Sequence, residues 1–254
     1  MRAAVSIGLP GTTGAQTLRA LAPRLEALGF DGLWLNDVPG GDSLAGLREV
    51  AEVTTTLRLA TGVIPLDRRP VEGLDLDGIP ARRTTFGIGS GGASHAVAAV
   101  RDGIAALRAR TDASIAVGAL GPRMRRLAAE EADEVVLNWL TPTAAADAMA
   151  DLRRDAGTRA DDVRGVLYVR TIADGAARAA LQKEADRYES YVSYAANFRR
   201  LGVHAIDATM DRAGTLAAYD VVDEVVLRAI TAGGTLDELE RFAEATAAWR
   251  ASVG

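Results

Sequence analysis

The segment Thr84–Ala96, TTFGIGSGGASHA, runs from an apolar strand-like stretch through four glycines into a helical pattern, and Gly87, Gly89 and Gly92 satisfy the spacing G-x-G-x-x-G. Such a turn belongs either to the phosphate site of a dinucleotide-binding open sheet or to one strand mouth of a closed barrel. A dinucleotide fingerprint follows the first strand of its unit, and its acidic partner ends the next strand about twenty residues later. Here three strand-like runs precede the turn, and Asp112, at the right separation, precedes the run SIAVGAL instead of ending it. The spacing therefore argues against NAD. Two uses remain for the glycines: close approach of a phosphate or a flat ring to bare backbone, or the turn alone.

Outward from this segment the chain alternates short apolar runs with helical patterns. The strand candidates are AAVSIGL from Ala3, GLWLN from Gly32, LRLATGVIP from Leu57, TTFGIG from Thr84, SIAVGAL from Ser114, EVVLNWL from Glu134, GVLYVR from Gly165 and DEVVLRAI from Asp223. Near-continuous apolar runs are the mark of parallel strands covered on both faces. Helix starts are signalled by capping boxes at Thr13 with Gln16 and Thr235 with Glu238, and by Pro122 and Pro142 at first helical positions. Eight strand–helix units predict an α/β chain of the (β/α)8 TIM-barrel class, residues 1–254 forming a single domain, with a doubly wound open sheet as the alternative. The turn-rich segment Asp67–Arg83 predicts a short or absent third helix and trimmed rim loops. Between Arg170 and Asp223 at least one extra helix is expected, with Tyr188, Tyr191, Tyr194 and Phe198 on one helical face as core or subunit contact.

Composition narrows the chemistry. A net charge of -5 gives no footprint for nucleic acid or an anionic membrane. The opening MRAAVSIGLPGTTG is too brief for a signal-peptide core or a membrane span, so the expected location is cytoplasmic. There is no cysteine, only His95 and His204 as histidines, and Lys183 is the single lysine among 29 basic residues. Two imidazoles cannot build a multi-histidine metal centre, and no metal is expected. Lys183 sits in LQKEADRY, a solvated helix, not at a strand end where a Schiff base would form. Any redox group must then arrive as a cofactor.

The ordered segments ALGFDGLWLND, LRLATGVIPLDRRP, TFGIGSG, VGALGPRMRRLAAEEADEVVLNWLTP and DEVVLRAITAGGTLDEL resemble the luciferase-like monooxygenase family, particularly its actinobacterial branch that uses the deazaflavin coenzyme F-420. The resemblance covers most of the chain. It implies a barrel that binds deazaflavin at the C-terminal mouth and passes hydride to or from a small organic substrate, as a homodimer. FMN with monooxygenase activity is the alternative, and a degenerate flavin-binding barrel without turnover is a third reading.

The resemblance also implies a site. Asp37 becomes a proton acceptor or ring contact, against the alternative of an ordinary helix cap. Gly62, Val63 and Ile64 match a third-strand bulge that holds a non-prolyl cis peptide behind the ring. Gly89, Ser90 and Gly91 would meet the ring edge or tail, and Ala119, Leu120, Gly121 and Pro122 would offer backbone to a phosphate, with Arg123 either adding charge or solvated. Asn138 and Trp139 would bond and wall the ring, or pack under a loop. The turn Gly233–Gly234–Thr235 matches a barrel phosphate position, but its capping box explains it. His95 and His204 read as structural. The pattern departs at Val38 and Ser90, where alcohol-oxidising relatives carry a histidine and a glutamate, so reduction of an activated double bond or imine is the expected chemistry.

Overall fold

The computed structural model describes residues 1–160 and 162–253. The strands are β1 (Ala4–Pro10), β2 (Gly32–Asn36), β3 (Arg58–Thr61) with its continuation β4 (Ile64–Pro65), β5 (Thr84–Gly89), β6 (Ser114–Gly118), β7 (Glu134–Asn138), β8 (Arg164–Thr171), the two-residue β9 (Thr209–Met210) and β10 (Glu224–Ala229). Every pairing among them is parallel. β1 pairs with both β2 and β10, and β10 pairs in turn with β8, so the sheet closes on itself. Closure excludes the open doubly wound sheet and makes the chain a (β/α)8 barrel.

The period-2 alternation of strand side chains separates two interiors. Outward residues such as Ile7, Leu9, Leu33, Leu35 and Ile64 pack with the helix residues Leu18, Leu21, Leu25, Leu44 and Leu47 in the main core. Inward residues Trp34, Ala60, Ala116, Val136, Val166, Tyr168 and Val226 form a second, smaller cluster inside the barrel. Beneath it, at the N-terminal end, polar groups seal the lumen. Arg58 donates to Asp31 at 3.0 Å, Glu224 at 2.9 Å, Glu134 at 2.7 Å and Thr85 at 3.1 Å, while Ser6 and Trp34 donate to the other oxygen of Glu224 at 2.6 and 2.7 Å.

The helices are α1 (Ala15–Ala27), α2 (Ser43–Val53), α3 (Ala96–Arg108), α4 (Pro122–Glu131), α5 (Pro142–Ala156), α6 (Arg178–Glu189), α7 (Val192–Leu201), α8 (Ala213–Ala218) and α9 (Leu236–Val253). No α-helix lies between β4 and β5; two single 3₁₀ turns at Val71–Gly73 and Ala81–Arg83 take its place. Pro122 and Pro142 open their helices, and Thr235 caps α9 reciprocally with Glu238. The Thr13 box does not form: Gly14 is the cap of α1, and the Thr13 hydroxyl donates back to the Pro10 carbonyl at 2.8 Å. The expected tyrosine-bearing helix is two helices, because the chain turns at Ser190 and Tyr191. Among the described residues no helix is long and apolar enough to cross a membrane.

Glu26 fixes the entry to β3. One of its carboxylate oxygens accepts from the backbone of Thr55, Thr56 and Leu57 and from the Thr56 hydroxyl. Burial opposes its ionisation, but these donors outweigh it and hold the carboxyl at about 2. A carboxyl lowered on folding stabilises fully above the unfolded value of about 4.3 and loses that contribution as pH falls towards the folded value. Glu26→Gln therefore lowers stability at neutral pH, and urea unfolding followed down the acid range shows the gap between wild type and variant closing as Glu26 takes up its proton.

Candidate functional site in the barrel mouth

The inward residues at the C-terminal strand ends, Pro10, Asn36, Gly62, Gly118, Asn138 and Arg228, are all partly exposed, whereas their outward neighbours Leu9, Leu35 and Leu137 are buried. This end of the barrel, its mouth, is therefore reachable from solvent. One wall is the Val63 side chain laid on glycine backbone. A Cβ on Gly89 or Gly118 would stand 2.9 or 3.0 Å from a Val63 methyl, so the Val63 isopropyl group rests directly on these two strand ends. The Gly62–Val63 peptide is cis, as the resemblance implies. The Asn36 amide nitrogen donates to the Gly62 carbonyl, and Gly62 N–H donates to Leu35 at 2.9 Å. The Asn36 side-chain oxygen is buried and has no partner.

Tyr168 makes the floor. It projects from β8 across the lumen, edge-on to Trp34 with ring centroids 5.8 Å apart, and its hydroxyl lies where a Cβ on Gly62 would be, 2.0 Å away. Only glycine fits there. The hydroxyl has no hydrogen-bond partner, and burial pushes its pKa well above the ordinary phenol value, so it stays protonated.

The wall facing the glycines is cationic. In the cyclic strand order β8 stands opposite β3, and β10 opposite β5. Arg170 and Arg228 are register partners on β8 and β10, one inward position above Tyr168 and Val226. The Arg170 guanidinium is stacked between Trp139 and Tyr188, 4.2 and 4.6 Å from the ring centroids, and bonds Asn138 and Glu184.

A third element is the start of α4. Its cap is Gly121, with no side chain closing the first amides. Arg125, only 8% exposed, turns its Nε back towards the Ala119 carbonyl at 3.5 Å and leaves one terminal nitrogen buried without a partner. Burial, reinforced by Arg200, lowers its pKa to about 10. Uncapped amides beside an unpartnered buried guanidinium are suited to an anion such as a phosphate.

The rim loops are tied to one another. Arg69 bonds Asp37 and, at 3.1 Å, Asp42, which caps α2; Asp67 accepts from Gly92 N–H at 2.9 Å. Gly91 has φ of 56° and room for no side chain, since a Cβ would meet an Asp67 oxygen at 1.7 Å.

The strand ends thus bring Gly62, Val63, Gly89 and Asn138 to the mouth, with Ser90 and Gly91 on its rim and Ala119, Leu120, Gly121 and Pro122 leading into α4. Asp37 is 7% exposed and its Oδ2 is taken by Ser43 at 2.8 Å and by Arg69, so it is neither the free proton acceptor nor the α2 cap. Ile64 faces the outer core. Trp139, with φ of 56°, is wholly buried against Tyr188 and Phe198 and reaches the mouth only through Arg170. Arg123 is exposed, as are His95 and His204, and Glu238 fills the amides of the Gly233–Thr235 turn. Asn36, Arg125, Tyr168, Arg170 and Arg228 went unread in the sequence, although four of them are polar residues at inward strand positions. Gly62→Ala would force the floor aside, and overpacking of this kind costs about 1–3 kcal/mol. Urea unfolding checks this, and Tyr168→Leu in the same chain recovers part of the loss as a measurable coupling.

Residues 3–116 match the family model described as luciferase-like monooxygenase. No curated protein matches the chain in sequence. Among solved structures, a monooxygenase from Streptomyces bottropensis superposes with a TM-score of 0.70 at 18% identity, over 98% of this chain and 99% of that one. A coenzyme F-420-dependent tetrahydromethanopterin reductase from Methanopyrus kandleri gives 0.68 at 15% identity, over 95% and 98%. An F-420-dependent secondary alcohol dehydrogenase, solved with an F-420–acetone adduct, gives 0.68 at 13% identity, over 96% and 99%. The sequence of residues 3–116 is thus similar to the luciferase-like monooxygenase family, and the whole chain shares the barrel fold of these solved structures.

Proposed function

We propose that the mouth binds a deazaflavin coenzyme and that the protein is an oxidoreductase moving hydride between that coenzyme and a small organic substrate. One observation carries this reading: at the mouth, where Val63 and Tyr168 pack directly onto the backbone of Gly62, Gly89 and Gly118, the protein leaves polar atoms unpartnered, the Asn36 oxygen and the Tyr168 hydroxyl. A bound coenzyme would supply the hydride donor or acceptor that no side chain here provides. Val63 and the Gly62 peptide would back a flat ring. Asn36 and Tyr168 would accept and donate hydrogen bonds at its edge, and the α4 amides with Arg125 would hold a phosphate.

The chain's own residues set the direction of the chemistry. Tyr168 holds its proton at the floor, and the carboxylates of Asp37 and Glu184 are engaged by Arg69 and Arg170. No uncommitted base faces the mouth among the described residues, which favours reduction of an activated double bond or imine over oxidation of an alcohol. The residues of the glycine wall suit FMN as well, and the resemblance of the ordered segments to the deazaflavin branch sets F-420 first. The exposed Tyr191 and Val192 at the α6–α7 turn are the contact we assign to a homodimer.

Equilibrium titration of the purified protein with F-420 and with FMN tests the reading. F-420 is expected to bind with a Kd of about 10 μM or below and FMN more weakly. Arg125→Met should weaken F-420 about tenfold or more, the range of a charged hydrogen bond. Affinities no better than about 1 mM for both coenzymes overturn the reading.

A further inference from the structure

Arg228 is a charge without a counter-charge. It points into the mouth from β10, next to Gly8 of β1 and Arg170 of β8. Its one hydrogen bond among the described residues runs from Nη1 to the carbonyl of its own neighbour Ala229, at 2.6 Å, leaving Nε and Nη2 as an open fork. Among the described residues no carboxylate pairs with it. Glu184, the acid that acts on it from a distance, is held by Arg170 at 3.3 Å and Arg187 at 3.1 Å. Burial and the charge of Arg170 both push its pKa below the ordinary guanidinium value. A guanidinium partly withdrawn from water without a partner is unfavourable, and a barrel that needed only packing here would be better served by an apolar side chain.

The surroundings say what kind of anion completes the site. Arg170 has committed its Nε and Nη1 to Glu184 and Asn138. The floor directly below is the Tyr168 ring, whose edge lies 3.1 Å from where a Cβ on Gly8 would stand. Two parallel N–H groups on a planar cation match a carboxylate in bidentate geometry. Arg228 also stands across the barrel from the glycine wall of β5, on the side that the coenzyme's ring would leave open.

We propose that Arg228, flanked by Arg170, binds the carboxylate of the substrate, so that this enzyme acts on a small organic acid. The assignment rests on the reading of the mouth as a coenzyme site, and its test separates the two. The probes are acetate and benzoate, each compared with its uncharged amide, and inorganic phosphate, titrated by calorimetry into the F-420-loaded protein and into the protein alone. The acids should bind the wild type about tenfold or more tighter than the amides, and tighter than phosphate. Arg228→Gln should lower acid affinity about tenfold or more while leaving the Kd for F-420 within about twofold. Arg228→Lys keeps the charge and stem, guards against a folding defect, and should still weaken the acids because it lacks the fork.

Equal binding of acids and amides, preference for phosphate, or acid affinity unchanged in both variants overturns the proposal. A parallel loss of F-420 overturns it too, assigning Arg228 to the coenzyme. If the wild type binds no coenzyme, the proposed function fails while the acid–amide comparison on the protein alone still decides the role of Arg228.

Discussion

The contact on which the molecule depends is the Tyr168 hydroxyl against Gly62. A side chain from β8 reaches across the lumen to the strand opposite and stops where that strand has no Cβ to offer. Below this plane the barrel is filled by Trp34, Ala60, Val136 and Val226; above it the strand ends are open. A larger residue at position 62 or a smaller one at 168 would move the boundary between packed core and accessible mouth. The depth of the site is therefore a property of one pair of residues that lie far apart in the chain.

The two ends of the barrel differ in how their polar groups are satisfied. At the N-terminal end Arg58 and Glu224 collect donors and acceptors from Ser6, Trp34, Asp31, Thr85 and Glu134. At the C-terminal end the Asn36 oxygen and the Tyr168 hydroxyl have no partner, and Arg228 has no counter-charge. One oxygen of Glu134 is left without a partner at the N-terminal end as well. Withdrawing such groups from water unpaired costs free energy, so the set at the open end marks where a ligand would complete the structure. Stability is served below and binding above, which is the usual division of labour between the faces of this fold.

The rim is shaped by what replaces the missing third helix. The segment after β4 is held down by Asp67 on Gly92 and by Arg69 on Asp37 and Asp42, which fastens three strand ends together with short polar links. On the other side α6 and α7 fold over Trp139 and Arg170, and their tyrosines pack among themselves: Tyr188 and Tyr194 meet edge-on with centroids 4.9 Å apart. The aromatics serve as the underside of a cover, which is why Trp139 is buried instead of lining the mouth.

Strand number and the parallel rhythm were legible in the sequence because they depend on local periodicity, and each of the eight apolar runs carries enough of it to declare a buried strand. The glycines of GVIP and GIGSGG were legible for a similar reason: bare backbone at a strand end limits what can approach, whatever the rest of the chain does. Asp37 was misread because its role depends on Arg69, a partner that the loops supply. Tyr168 and Arg228 were passed over because a polar residue in an apolar run looks the same whether it is satisfied or orphaned, and Arg125 because it is one of three arginines at the start of a charged helix. That distinction is made only when closure of the barrel sets β8 opposite β3 and seats Arg228 beside Arg170, so the tertiary structure alone decided which donors are left without a partner.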